Sequence, residues 1–154
     1  MSCGGRNPEM AWLVVENNRT YVPGPTMTIP VFLVEDNQII RANLIDTLGE
    51  LVGMQFVGHA DNAADAVDWL ARQPQAWALL IVDLFLKTGN GLAVLHASRQ
   101  REPGQKVIVL SNYATPEMRK RCMAAGADAV FDKSTEIDAL IDYCLQMARQ
   151  RGRG

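Results

Sequence analysis

The chain has 154 residues, 17.0 kDa and a formal net charge of −2, enough for one domain with a real core. Apolar residues make up 48% and charged residues 21%, a globular composition rather than a disordered or fibrous one. The slight acidity offers no general attraction to nucleic acid, and no apolar run approaches the ~18 residues of a membrane span.

The first stretch differs from the rest. Gly4-Gly5, Pro8 and Pro23-Gly24-Pro25, with Pro30 just beyond, read as an extension and turn-rich linker over residues 1–28. Trp12 to Val15 docking as an extra strand is the alternative. The apolar run Ala11 to Val15 is too short for a signal peptide, and Glu16-Asn17-Asn18-Arg19 follows it. Cys3, Cys122 and Cys144 are odd in number and widely spaced, and neither His59 nor His96 lies near a cysteine in sequence. A disulfide framework and a zinc site are disfavoured, a cytoplasmic protein is expected, and Cys122 and Cys144 read as small apolar helix residues.

From Val31 onward strands alternate with helices. The strand-like runs are Val31–Val34, Met54–His59, Ala78–Val82, Lys106–Leu110 and Ala129–Phe131. Between them, Ile40, Leu44, Ile45, Leu48, Leu51 and Val52 form one helical face, and Ala63, Val67, Leu70 and Ala71 another. Leu92 and Leu95 mark a third helix, and Thr115-Pro116 is a cap and first-position pair for the fourth. Ile137, Leu140, Ile141, Cys144, Leu145 and Ala148 carry the fifth, with Ser134 as candidate cap. The expected domain spans 29–150, followed by a basic tail at 151–154. Five βα units with helical crossovers imply an α/β fold, a parallel sheet covered on both faces.

The strand ends carry the chemistry. The first strand runs into Glu35-Asp36, the third into Asp83, the fourth into Ser111 and the fifth into Asp132-Lys133. Taken singly these are turn residues, caps or solvated charges; Asp36 or Asn37 could simply cap the first helix. Parallel strands bring them to one sheet edge, near the topological switch point where such folds bind ligands. Clustered carboxylates repel unless a cation sits among them, and all-oxygen ligands suit magnesium. Ser111 and Lys133 supply donors for a doubly charged group. The chemistry implied is phosphoryl transfer onto Asp83.

The stretches "VFLVEDN", "LLIVDLFLKTGNGL", "VIVLSNYA" and "AGADAVFDKS" resemble the receiver domain of bacterial two-component response regulators over Val31 to about Arg149. The resemblance implies a flavodoxin-like, doubly wound, five-stranded sheet in the order 2-1-3-4-5 with five helices. It also implies Mg2+ and a histidine kinase or histidine phosphotransfer protein as phosphodonor. Position by position, Asp83 is the phosphoacceptor, Glu35 and Asp36 hold the ion and Phe85 lends it a backbone carbonyl. Ser111 is the switch hydroxyl, and Lys133 contacts the phosphoryl group.

Three departures stand out. The usual aromatic switch position holds Val130, with Phe131 next to it but on the other face. The usual cis-proline after the lysine is Ser134, and the small residue after the switch hydroxyl is Asn112. The positions that commonly orient the hydrolytic water are Phe85 and Tyr113, which implies a long phosphoryl lifetime, with Asn112 slowing small donors. The chain ends after the fifth helix, so no DNA-binding domain is expected. It reads as a stand-alone receiver that signals through the face of the fourth helix, fifth strand and fifth helix, with exposed Arg119 and Lys120 as partner contacts and a homodimer on phosphorylation as one outcome. The alternatives are an unphosphorylated interaction module and an Asp-nucleophile phosphohydrolase. The phosphohydrolase needs a second Asp where Phe85 stands. A flavin module is disfavoured because "EDNQ" would repel a flavin phosphate.

Overall fold

The computed structural model describes residues 28–153. The proposed extension, including Trp12 to Val15, lies outside them apart from Thr28. Strands and helices alternate strictly: β1 (Ile29–Val34), α1 (Gln38–Val52), β2 (Met54–Ala60), α2 (Ala63–Arg72), β3 (Leu79–Asp83), α3 (Gly91–Ala97), β4 (Lys106–Ser111), α4 (Pro116–Ala124), β5 (Ala129–Asp132) and α5 (Ile137–Arg153). The five strands are parallel, in the order β2-β1-β3-β4-β5, as the resemblance implied.

Strand alternation sends side chains to two cores. Phe32, Val34, Leu80, Val82, Val107, Val109 and Val130 pack against α2, α3 and α4. Val31, Leu33, Leu79, Ile81, Ile108 and Leu110 pack against α1 and α5. Every residue of β3 is buried, which explains why its sequence is an unbroken apolar run up to Asp83 rather than an alternating one. Val130 and Phe131 face opposite cores, and Phe131 meets Tyr143 edge-on at 5.9 Å. Cys122 and Cys144 are buried without a disulfide, and burial pushes both thiols up, Cys144 to about 12.

Several boundaries differ from the sequence reading. β1 starts at Ile29 and contains Pro30, which pairs with β2 only and leaves its carbonyl to accept the Ala78 N–H at 2.8 Å. A residue with no N–H to donate fits the first positions of a strand. Leu51 and Ala71 are exposed, because each lies at the end of its helix on the side turned from the sheet. Ser134 does not cap α5, which begins three residues later at Ile137; its hydroxyl donates to Asp132 Oδ1 at 2.6 Å. α5 continues to Arg153, through most of the expected tail. No described helix is long and apolar enough to cross a membrane.

Candidate functional site

The topology sets the C-terminal ends of β1, β3, β4 and β5 along one edge, with β1 and β3 side by side at its centre. At the end of β1 the capping of α1 falls to Asn37, whose side chain accepts the Ile39 and Ile40 N–H groups at 2.9 and 3.0 Å. Asp36 is therefore spared that role. Its Oδ2 accepts the Lys87 N–H from the loop after β3, at 2.6 Å.

Glu35 is 1% exposed and Asp83 4%. Lys133 reaches in from the loop after β5, placing Nζ 3.0 Å from Asp83 Oδ2 and 2.8 Å from Glu35 Oε1. The Asp83 contact is a hydrogen bond. The Glu35 contact is an ion pair off hydrogen-bond geometry, and Oε1 has no hydrogen-bond partner. Glu35 Oε2 and Asp83 Oδ1 accept the Asn37 and Phe85 N–H groups at 3.1 and 3.2 Å.

Burial pushes the Glu35 carboxyl above its usual range, and the Asp83 charge adds to that, while Lys133 and Asn37 work against it. For Lys133, burial favours loss of the proton. Contact with Glu35 and Asp83 outweighs it and holds the ammonium above the usual lysine value.

Carboxylate oxygens of Glu35, Asp36 and Asp83 all lie within 4.8 Å of one another. One ammonium among three carboxylates leaves an excess of negative charge, and Glu35 Oε1 has lone pairs to spare. An all-oxygen donor set with unspent lone pairs fits a hard divalent cation.

Ser111 ends β4, fully buried. Its Oγ accepts the Tyr113 N–H at 3.0 Å and its carbonyl accepts the Lys133 N–H at 2.9 Å. That second bond fastens the lysine loop to β4. The Phe85 and Tyr113 rings meet edge to face at 5.9 Å, 48% and 69% exposed, and Asn112 between Ser111 and Tyr113 is exposed. No described peptide bond is cis, so Lys133–Ser134 is trans.

Three residues near the site escaped the sequence reading in this role. Arg119, expected as an exposed partner contact, is half-buried and donates to the Ala114 and Val130 carbonyls and to Glu136. Glu136 Oε1 also accepts the Asp132 N–H at 2.9 Å. Asp132 Oδ1 accepts the Ser134 and Thr135 N–H groups at 2.8 and 3.2 Å. An Asp with Ser two residues on signals such a turn in sequence. Nothing local signals the reach of Arg119.

The response regulator receiver domain, as a family, matches residues 31–144 of the chain. The chain belongs to that family. The receiver is 32% identical over 100 residues to the DNA-binding transcriptional activator DevR/DosR of Mycobacterium tuberculosis, covering 64% of this chain and 45% of that protein. To the response regulator protein FleR of Pseudomonas aeruginosa it is 34% identical over 122 residues, 79% of this chain and 25% of that one. The chain thus spans less than half the length of these two relatives. The fold superposes on the receiver domain of NarL from M. tuberculosis with a TM-score of 0.68 at 20% identity, covering 79% of this chain and 97% of that one. Receiver domains work in two-component signalling with histidine kinases, generally bind Mg2+ and are in general not enzymes acting on other molecules. In this receiver Glu35, Asp36 and Asp83 could hold the ion.

Proposed function

We propose that this receiver takes a phosphoryl group on Asp83 from a histidine kinase or phosphotransfer protein and passes the signal on through phosphorylation-dependent protein contacts. The observation that carries this reading is the convergence of Glu35, Asp36, Asp83 and Lys133 on one buried point, with Ser111 closing the end of the neighbouring strand. Asp83 is buried yet aimed at that point, a costly place for a carboxylate with no task.

In the transfer, an Asp83 oxygen attacks phosphorus and the P–N bond of a phosphohistidine breaks. Its electron pair leaves on the imidazole nitrogen, which takes a proton from solvent. Glu35, Asp36, Asp83 and the Phe85 carbonyl would hold Mg2+, whose positive charge would offset the charge developing on the phosphoryl group. Lys133 exchanges its carboxylate partner for a phosphoryl oxygen, and the Ser111 hydroxyl turns to donate to another. The chain catalyses only its own phosphorylation and dephosphorylation, in the cytoplasm where its donors would lie. The new charge draws in Ser111 and Lys133 and biases the α4–β5–α5 face, the contact surface for a downstream protein or a second copy. Among exposed residues there, Lys120 remains a partner contact; Arg119 is committed internally.

Incubation with Mg2+ and acetyl phosphate tests this. Mass spectrometry is expected to place one phosphoryl group on Asp83, absent in Asp83→Asn and in EDTA. Asp36→Ala is expected to weaken Mg2+ binding. Lys133→Ala is expected to take label but to lose the change in amide exchange on the α4–β5–α5 face. Wild-type label in Asp83→Asn, or label indifferent to EDTA, overturns the assignment.

A further inference from the structure

Lys133 spans a gap between two strand ends, and its side chain is useful only if the loop that carries it is held still. One of the restraints on that loop comes from a residue on α4. Arg119 Nη2 donates to Glu136 Oε1 at 2.7 Å, and the same oxygen accepts the Asp132 N–H at 2.9 Å. Asp132 in turn accepts the Ser134 hydroxyl, the Ser134 N–H and the Thr135 N–H on Oδ1, and its carbonyl accepts the Glu136 N–H at 2.9 Å. Lys133 therefore lies inside a loop fixed at both ends, and its own N–H is bound to Ser111.

The other donors of the guanidinium reach elsewhere. Nε binds the Ala114 carbonyl at 3.0 Å, just before the cap of α4, and Nη1 binds the Val130 carbonyl at 3.0 Å, three residues before Lys133. One planar group thus ties the start of α4, strand β5 and the lysine loop together, a geometry that the fixed fork of arginine suits and a lysine cannot reproduce. Val130 contributes through its carbonyl, which leaves its small side chain free to pack in the core.

We propose that Arg119 is a positioning residue for Lys133, acting through Glu136 and the Asp132 backbone, and that the same guanidinium transmits movement of Lys133 to α4. The second half rests on the phosphoryl-acceptor reading given above; the first does not. Arg119 touches no reacting atom. Its effect is to narrow the range of places the ammonium can occupy and to make α4 follow when the lysine moves.

Amide exchange of the full chain tests both halves, on wild type, Arg119→Gln, Arg119→Lys, Glu136→Ala and Glu136→Gln. Without ligand, Arg119→Gln and Glu136→Ala are expected to speed exchange at residues 132–135 about tenfold relative to Leu33 and Ile81, whose amides report opening of the sheet core. Glu136→Gln keeps an acceptor for both donors and is expected to stay near wild type, with Arg119→Lys in between. A common acceleration at all amides means a purely structural staple and overturns the proposal, as does no acceleration at 132–135. With Mg2+ and beryllofluoride, the response of residues 116–124, measured against that of residues 84–88, is expected to fall to about a third or less in Arg119→Gln. An unchanged ratio overturns the link to α4. If wild-type Asp83 takes no label from acetyl phosphate, the phosphoryl reading falls with the transmission half, while the unliganded comparison still decides whether Arg119 positions Lys133.

Discussion

Phe85 and Tyr113 each sit two residues beyond a site residue, Asp83 and Ser111, and their rings touch edge to face while remaining largely exposed. Neither offers a carboxylate or carboxamide to orient a water in line with an aspartyl phosphate, and their contact holds two bulky groups side by side, an arrangement worth ~0.5–1.5 kcal/mol. With Asp83 as the proposed acceptor, slow loss of the phosphoryl group is the expected outcome. Phe85→Asn and Tyr113→Glu are each expected to speed phosphate release on the order of tenfold, about 1.4 kcal/mol of barrier, as a nucleophile-orienting group is restored. Release kinetics at wild-type rates in both variants mean that the aromatic pair does not set the lifetime. The placement of both rings beside the strand ends was legible in sequence, because each follows a strand end at fixed spacing. The same holds for Glu35, Asp36 and Lys133, which parallel pairing alone brings to one edge. The exposure expected of Arg119 failed for the converse reason: its partner Glu136 lies 17 positions away in the loop between β5 and α5, and a half-buried clasp has the same local signature as a solvated arginine.

At the scale of elements, the turn that carries Asp83 into α3 is tightly fitted. Asn90 caps α3 through the Leu92 N–H, and Gly91 opens the helix with its N–H on the Leu84 carbonyl at 3.0 Å. A Cβ on Gly91 would stand 2.6 Å from the Asp83 carbonyl oxygen and 2.7 Å from Leu84 Cα, both backbone atoms that cannot swing aside. Gly91→Ala is therefore expected to push the Asp83 backbone outward, lowering stability by about 1–3 kcal/mol and weakening Mg2+ binding together. Denaturant unfolding and Mg2+ titration check this, and a variant with wild-type values in both excludes the close approach. The elements themselves were legible where period and burial agree, as in β3 and in the Thr115-Pro116 start of α4. They were less so at ends. Pro30 looked like punctuation but serves as an early strand residue, and Ser134 looked like a cap, whose oxygen would accept a helix N–H, but donates its hydroxyl to Asp132 instead, an alternative that sequence leaves open.

For the molecule as a whole, both cores are filled from Ile29 to Met147: one by β1, β3 and β4 against α1 and α5, the other by the opposite strand faces against α2, α3 and α4. Among the described residues neither cluster leaves the central strands with an uncovered face. The composition of residues 1–26 reads as an extension, since Trp12 to Val15 is separated from β1 by Pro23-Gly24-Pro25 and a run of polar residues. An added strand would need a sheet edge, that of β2 or of β5; along β2, Val57 is exposed at the register shift between Val31 and Phe32. Removing residues 1–26 is expected to leave a cooperatively folding receiver whose Tm falls by less than about 8 °C, the shift that ~1 kcal/mol produces at most in a domain near this size. The same truncated chain is expected to keep Mg2+-dependent labelling of Asp83. Thermal unfolding of the two lengths side by side separates the cases: a larger fall, with new solvent exchange along β2, means that the segment docks on that edge.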